Sequence, residues 1–269
     1  MKEKNRKSDN RSARKASSGL IELLAAVGLI VLVVVVIFCT RSCTLFVDTP
    51  SVEDGVLDDK LPPKEDSPMS TVLNPVSADD AVYPIRVSES VTLDKIYTAT
   101  GYFPEDGSDE EIVNVLAVKL TNTSEKTLEY LAFELTVNEE VYKFAVATLP
   151  AGKSVYAFNT EQKSAPEAVT TAECAVEYEI YFTSEPSKMA ETFMYQIQNG
   201  TVVVKNISDK DIASDIVVYY KSTANGGYLG GITYRFRISG GLDAGKSYNA
   251  YAPHAYSHMT EIMFTSYEE

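Results

Sequence analysis

"KNISDKDIASDIVVYY" runs from Lys205 to Tyr220, and "TNTSEKTLEYLAFEL" from Thr121 to Leu135. Each places an Asn, then a Ser, an acid and a Lys, and then a polar-apolar alternation. Asn122, Ser124, Glu125 and Lys126 align with Asn206, Ser208, Asp209 and Lys210 at an offset of 84. A second matched block follows in the same order, "LPAGKSVYAF" from Leu149 and "LDAGKSYNAY" from Leu242, at an offset of 93. Two independent blocks in one order indicate a tandem duplication of one unit. The nine extra residues of the second copy are assigned to a longer middle loop, the Gly-rich "ANGGYLGG".

Period-two patterning makes that unit a β-structure. "TLEYLAFELTV" puts Leu131, Phe133, Leu135 and Val137 on one side, and "ITYRFRIS" separates Ile232, Tyr234, Phe236 and Ile238 from Arg235 and Arg237. In "AECAVEYEIYF" the same phase sends Cys174, Val176, Tyr178, Ile180 and Phe182 inward and Glu173, Glu177 and Glu179 outward. Such alternation belongs to half-buried antiparallel strands, and it buries Cys174 as an inert thiol. Turn signals recur at short intervals, and Asn199–Gly200 between "ETFMYQIQ" and "TVVVKNI" is a strong hairpin signal. Units of roughly 80–100 residues are large enough for an immunoglobulin-like sandwich to bury a core. The expectation is two tandem β-sandwich modules, 85–184 and 190–269.

The chain before them divides differently. Its net charge is −14, yet seven basic residues against two acids precede Leu20; that surplus of five leaves −19 for the remainder. An acidic body is unsuited to nucleic acid, which needs a cationic footprint. "LIELLAAVGLIVLVVVVIF", Leu20 to Phe38, has Glu22 as its one charge and as a helix would span about 28 Å, close to the bilayer core. The expected layout is a basic cytoplasmic tail at 1–19, a transmembrane helix at 20–40 and a disordered acidic Pro/Ser linker at 41–84. The positive-inside rule then places the modules outside the cell, on a single-pass protein of the cell membrane. Glu22, Cys39 and Cys43 mark the membrane boundaries, and three cysteines are too few for a disulfide framework.

Two resemblances follow. "KNISDKDIASDIVVYYK" with "LDAGKSYNAYA" resembles the FxLYD-type immunoglobulin-like repeats of Gram-positive cell envelopes, although in the name-giving strand only Tyr220 matches the pattern. That resemblance implies an anchored β-sandwich and supplies no catalytic residues. "SGLIELLAAVGLIV" resembles the N-terminus of type IV pilins and pseudopilins, and the resemblance makes Glu22 the acid that contacts a neighbouring subunit's amine in the filament. The filament component is the alternative reading.

Candidate chemistry is sparse. His254 and His258, the only histidines, lie in "PHAYSHMTE" with Glu261 three residues on. On a helix these three could share a metal, but the segment follows Pro253 and leads into a strand, so a surface loop is expected. "PEDGSDEE", Pro104 to Glu111, gathers acids that a calcium ion could use, but it lacks the spacing of a calcium loop and reads as a solvated turn. Glu110–Glu111 and Glu139–Glu140 are adjacent and would point to opposite faces of a strand, poorly placed to share a proton. "NGGYLGG" has no following helix to receive a phosphate, and is expected to expose Tyr228 and Leu229 on a mobile binding loop. Asn122, Asn199 and Asn206 each head an N-x-[ST] triplet. The sequence therefore points away from an enzyme or a cofactor. It suggests a membrane-anchored protein with an interaction or structural role, its partners being the lipid bilayer and an envelope or extracellular protein or glycan.

Overall fold

A computed structural model describes residues 70–78, 82–108 and 110–268, all within one compact unit, 60–269. Three short strands come first: β1 (Thr71–Pro75), β2 (Ser77–Ala78) and β3 (Ile85–Arg86). The first repeat contains β4 (Val91–Tyr102), β5 (Glu111–Asn122), β6 (Leu128–Val137), β7 (Glu140–Leu149), β8 (Ser154–Phe158), β9 (Ala168–Val169) and β10 (Ala172–Tyr181). The second contains β11 (Phe193–Gln198), β12 (Thr201–Asn206), β13 (Ile216–Ala224), β14 (Gly227–Ile238), β15 (Ser247–Tyr251) and β16 (Thr260–Ser266).

The repeats share one wiring. In the first, β5 pairs with β4 and β8, while β6 pairs with β7 and β10. In the second, β12 pairs with β11 and β15, while β13 pairs with β14 and β16. Second strand with fifth, and third with last, is the pairing of immunoglobulin-type sandwiches. Each interior is filled by the alternate residues that the patterning selects, Leu131, Phe133, Leu135 and Val137 in one and Tyr234, Phe236 and Ile238, with Ile232 packed against them, in the other.

The matched motifs explain why this wiring repeats. Asn122 is completely buried; its amide donates to Lys126 O at 2.9 Å and to Leu149 O at 2.8 Å, and its Oδ1 accepts from Ser124 N and Oγ. Asn206 does the same with Lys210 O, Leu242 O and Ser208, at 2.8, 2.9, 3.0 and 2.7 Å. Each Asn thus ties the turn after its own strand to the Leu that opens the second matched block. A buried amide left without these partners would cost about 1–3 kcal/mol per group, so both blocks persist together. The same burial removes Asn122 and Asn206 as glycan acceptors and leaves Asn199 exposed in its hairpin turn.

Several expectations require correction. The described residues hold no α-helix, and no helix among them is long and apolar enough to cross a membrane. The described residues, an all-β body, thus supply none of the transmembrane helix on which the expected fold and membrane placement were built. The stretch 20–40 with Glu22, Cys39 and Cys43 lies outside the described residues. Part of the presumed linker is ordered sheet: β1 pairs antiparallel with β4, and β2 parallel with β9. One eight-stranded sheet joins the two repeats, in the order β1-β4-β5-β8-β14-β13-β16 with β3 paired to β4 off that path. Finally, β10 keeps its expected phase only as far as Cys174. A bulge between Val176 and Tyr178 shifts the register and turns Tyr178 and Ile180 outward, where they are 62% and 49% exposed.

Candidate functional site: the seam between the repeats

The nine extra residues of the second repeat do not form a loop at the hairpin tip: β13 and β14 hold 21 residues (9 and 12) against 20 (10 and 10) in β6 and β7, and the other eight fall in the connections before and after them. Asn225 and Gly226, both at positive φ, make the tight turn, and β14 starts immediately after it. This extended arm enters the first repeat, where Tyr228 and Leu229 pair in parallel with Val155 and Tyr156 of β8. Successive side chains of a strand point to opposite faces. Tyr228 therefore joins the first repeat's main core, and Leu229 joins a smaller cluster with Phe103 and Phe158. They are 3% and 4% exposed, so the expected mobile binding loop is in fact the anchor of the seam.

Beyond Leu229 the ladder changes hands. Glu105 Oε1 accepts from Phe158 N of β8 at 2.7 Å and from Gly231 N of β14 at 2.8 Å; Oε2 accepts from Ile232 N at 3.1 Å. One carboxylate thus replaces the carbonyls that a neighbouring strand would have supplied. Lys221, fully buried on β13, donates to Ala147 O of β7 at 2.9 Å, Gly231 O at 2.9 Å and Ile232 O at 2.7 Å. The acid and the base therefore grip opposite ends of Gly231. Glycine is needed there because a Cβ would lie 1.9 Å from Ala145 O, and at Gly230 it would lie 2.8 Å from the Pro104 ring.

The electrostatics follow from burial. Desolvation pushes the Glu105 carboxyl up to about 7, opposed by its amide donors and by Lys221. Desolvation likewise pushes the Lys221 ammonium down to about 7, with Glu105 opposing. Both groups are bonded as charged species, the carboxylate by three donors and the ammonium by three carbonyls, so each is held at its task by the protein backbone.

A second polar cluster closes the other flank. Tyr102 Oη lies 3.2 Å from Tyr234 Oη and 3.1 Å from His254 Nδ1; Tyr234 donates to Pro104 O at 2.9 Å, and its ring stacks on His254 at 4.4 Å. His254 is buried, not a surface-loop residue. His258 instead lines an open groove of about 590 Å³ with Lys153, Ser154, Asn225, Tyr228 and Glu261. Burial alone would raise the Glu261 carboxyl, but Lys188 at 2.9 Å, the Tyr228 hydroxyl and Lys153 hold it below the usual range. The structure thus brings His258, Glu261 and Tyr228 together and leaves His254 apart. No group of three His, Cys, Asp or Glu among the described residues is placed to hold a metal. Asp109 of the acidic turn lies outside the described residues.

Lys221 and Glu105 escaped the sequence reading. A signal for Lys221 existed in "IVVYYK", where Val217 and Tyr219 make the outward positions apolar too, as in strands covered on both faces. Nothing separates Glu105 from its acidic neighbours in the turn. No family model matches the chain, and no similar curated protein or solved structure was found.

Proposed function

We propose that this chain is a non-catalytic interaction body whose two β-sandwich repeats are locked into one rigid unit. The observation that carries the reading is the use made of Glu105 and Lys221. These are the charged groups whose titration burial shifts furthest, the usual mark of a reactive site. Here every polar atom of the pair is bonded to backbone across the seam. A carboxylate with three amide donors is not poised to take a proton from a substrate. It fixes the angle between repeats, and a fixed angle matters to a surface that binds by shape, since it reduces the ordering cost of binding. The resemblance to FxLYD-type repeats supports the same reading.

The test uses the full chain in its host, with a photo-crosslinking residue placed in turn at Tyr130, Tyr178, Met194 and Tyr251, all exposed. The reading expects discrete protein adducts from one face and not from the others, suppressed by excess purified chain. Uniform adducts from every face, or none from any, would refute it.

A further inference from the structure

Both sandwiches end on a strand paired by its own repeat on one side, β10 by β6 and β16 by β13. In the second repeat the other side of that strand is covered. Ser187 and Lys188, outside any strand, lie beside β16: Thr265 N donates to Ser187 O at 2.9 Å, and Lys188 Nζ meets Glu261 at 2.9 Å. Tyr195 fixes the segment by donating to Lys188 O at 2.8 Å. The molecule itself thus shows what caps this edge: a piece of chain that gives the strand a backbone carbonyl and whose lysine pairs with a glutamate of the strand.

The first repeat lacks the equivalent cap. Among the described residues β6 is the only strand in β10's ladder. Ser88 approaches the far end and donates to Glu179 at 2.8 Å. Glu173, Ala175, Val176, Glu177 and Tyr178 all remain exposed. Val176, Tyr178 and Ile180 add apolar surface, and Tyr130, 39% exposed, lies across the strand pair from Ile180. An edge with free backbone groups and exposed apolar side chains is a template for strand addition.

Charge selects the occupant. Glu173 and Glu177 would face one another if a second copy of the chain paired here, which repels. A basic strand is attracted, as Lys188 is to Glu261. We propose that β10, from Glu173 to Tyr178, is a strand-addition site for an extended partner peptide. That peptide carries Lys or Arg opposite Glu173 and Glu177 and an apolar residue beside Tyr178. This inference rests on the chain being an interaction body and names the strand that does the binding.

Two labelled ten-residue peptides test it on the full chain, one alternating Lys and Val, the other alternating Glu and Val. The Lys peptide is expected to bind saturably by fluorescence anisotropy and to slow amide exchange within 173–178; the Glu peptide is expected to do neither. Charge reversal in Glu173→Lys/Glu177→Lys should weaken the Lys peptide at least tenfold, with the thermal midpoint of the chain unchanged. Tyr178→Ser should weaken it less, because the backbone ladder survives. Equal binding of both peptides, binding indifferent to charge reversal, or protection confined to another strand would overturn the proposal, as would concentration-dependent pairing of the chain through β10. A host partner crosslinked solely through Met194 or Tyr251 would remove this site while leaving the interaction function standing.

Discussion

The hairpins β6–β7 and β13–β14 occupy the same place in their repeats and have different surroundings. Inward they are alike, Leu131, Phe133 and Leu135 filling one core and Ile216, Val218 and Tyr220 the other. Outward they diverge. On β6 the outward positions include Tyr130, Glu134 and Thr136, and Glu134 meets Lys143 of β7 at 3.8 Å in an exposed pair. On β13 the outward positions are Val217, Tyr219 and Lys221; Tyr219 stacks on Phe264 at 4.1 Å, and Lys221 is sealed under the first repeat. A duplication copies a core, and the outward face is then set by whatever comes to cover it.

That contrast can be broken most forcefully at Lys221. Lys221→Met should cost about 3–5 kcal/mol by chemical denaturation, since it leaves Glu105 buried without its counter-charge; Thr136→Met on β6 should stay within about 0.5 kcal/mol. Adding Glu105→Gln to Lys221→Met should restore part of the loss, a non-additivity that a double-mutant cycle would read directly. Gly231→Ala comes next, at roughly 2–3 kcal/mol, because its methyl must displace the β7 backbone at Ala145. If the repeats are equivalent where their motifs match, Asn122→Ala and Asn206→Ala should each cost about 2 kcal/mol and by similar amounts. A large inequality would mean that one turn supports its sandwich and the other merely resembles it.

The smaller effects concern β10. Cys174 is half-buried against the first core, and burial pushes its thiol up to about 12. The thiolate is the reactive form, so a raised value means less of it at any given pH. At pH 9 iodoacetamide should modify Cys174 on the order of a hundredfold more slowly in the native chain than in denaturant, as followed by peptide mass spectrometry. Tyr178→Ser should leave stability within about 0.5 kcal/mol of the parent, because the bulge has already placed that ring in solvent.

Much of the fold was legible before any coordinates. The alternation from Leu131 to Val137 and from Ile232 to Ile238 gave the strands their inner faces, and Asn199–Gly200 marked a hairpin that the structure contains. The reading of β10 went wrong after Cys174 because a single inserted residue reverses every later side chain, and residue types alone do not locate the insertion. The glycines that flank Tyr228 and Leu229 give the stretch the composition of a loop. Gly230 and Gly231 are there for close approach to Pro104 and Ala145, neighbours that become visible only once the two repeats meet.

By itself the sequence determined the repeated unit, its β character and the two Asn-centred turns, because these depend on residues close in the chain and on a period of two. The tertiary structure alone decided that the repeats share one sheet, that Glu105 and Lys221 grip Gly231 from opposite ends, and that β16 is capped while β10 is open. Those outcomes depend on pairs distant in the chain, 73 residues for Val155 and Tyr228 and 126 for Glu105 and Gly231. A charged side chain in solvent and one sealed in a seam have the same letter, and only the surface that covers it makes the difference.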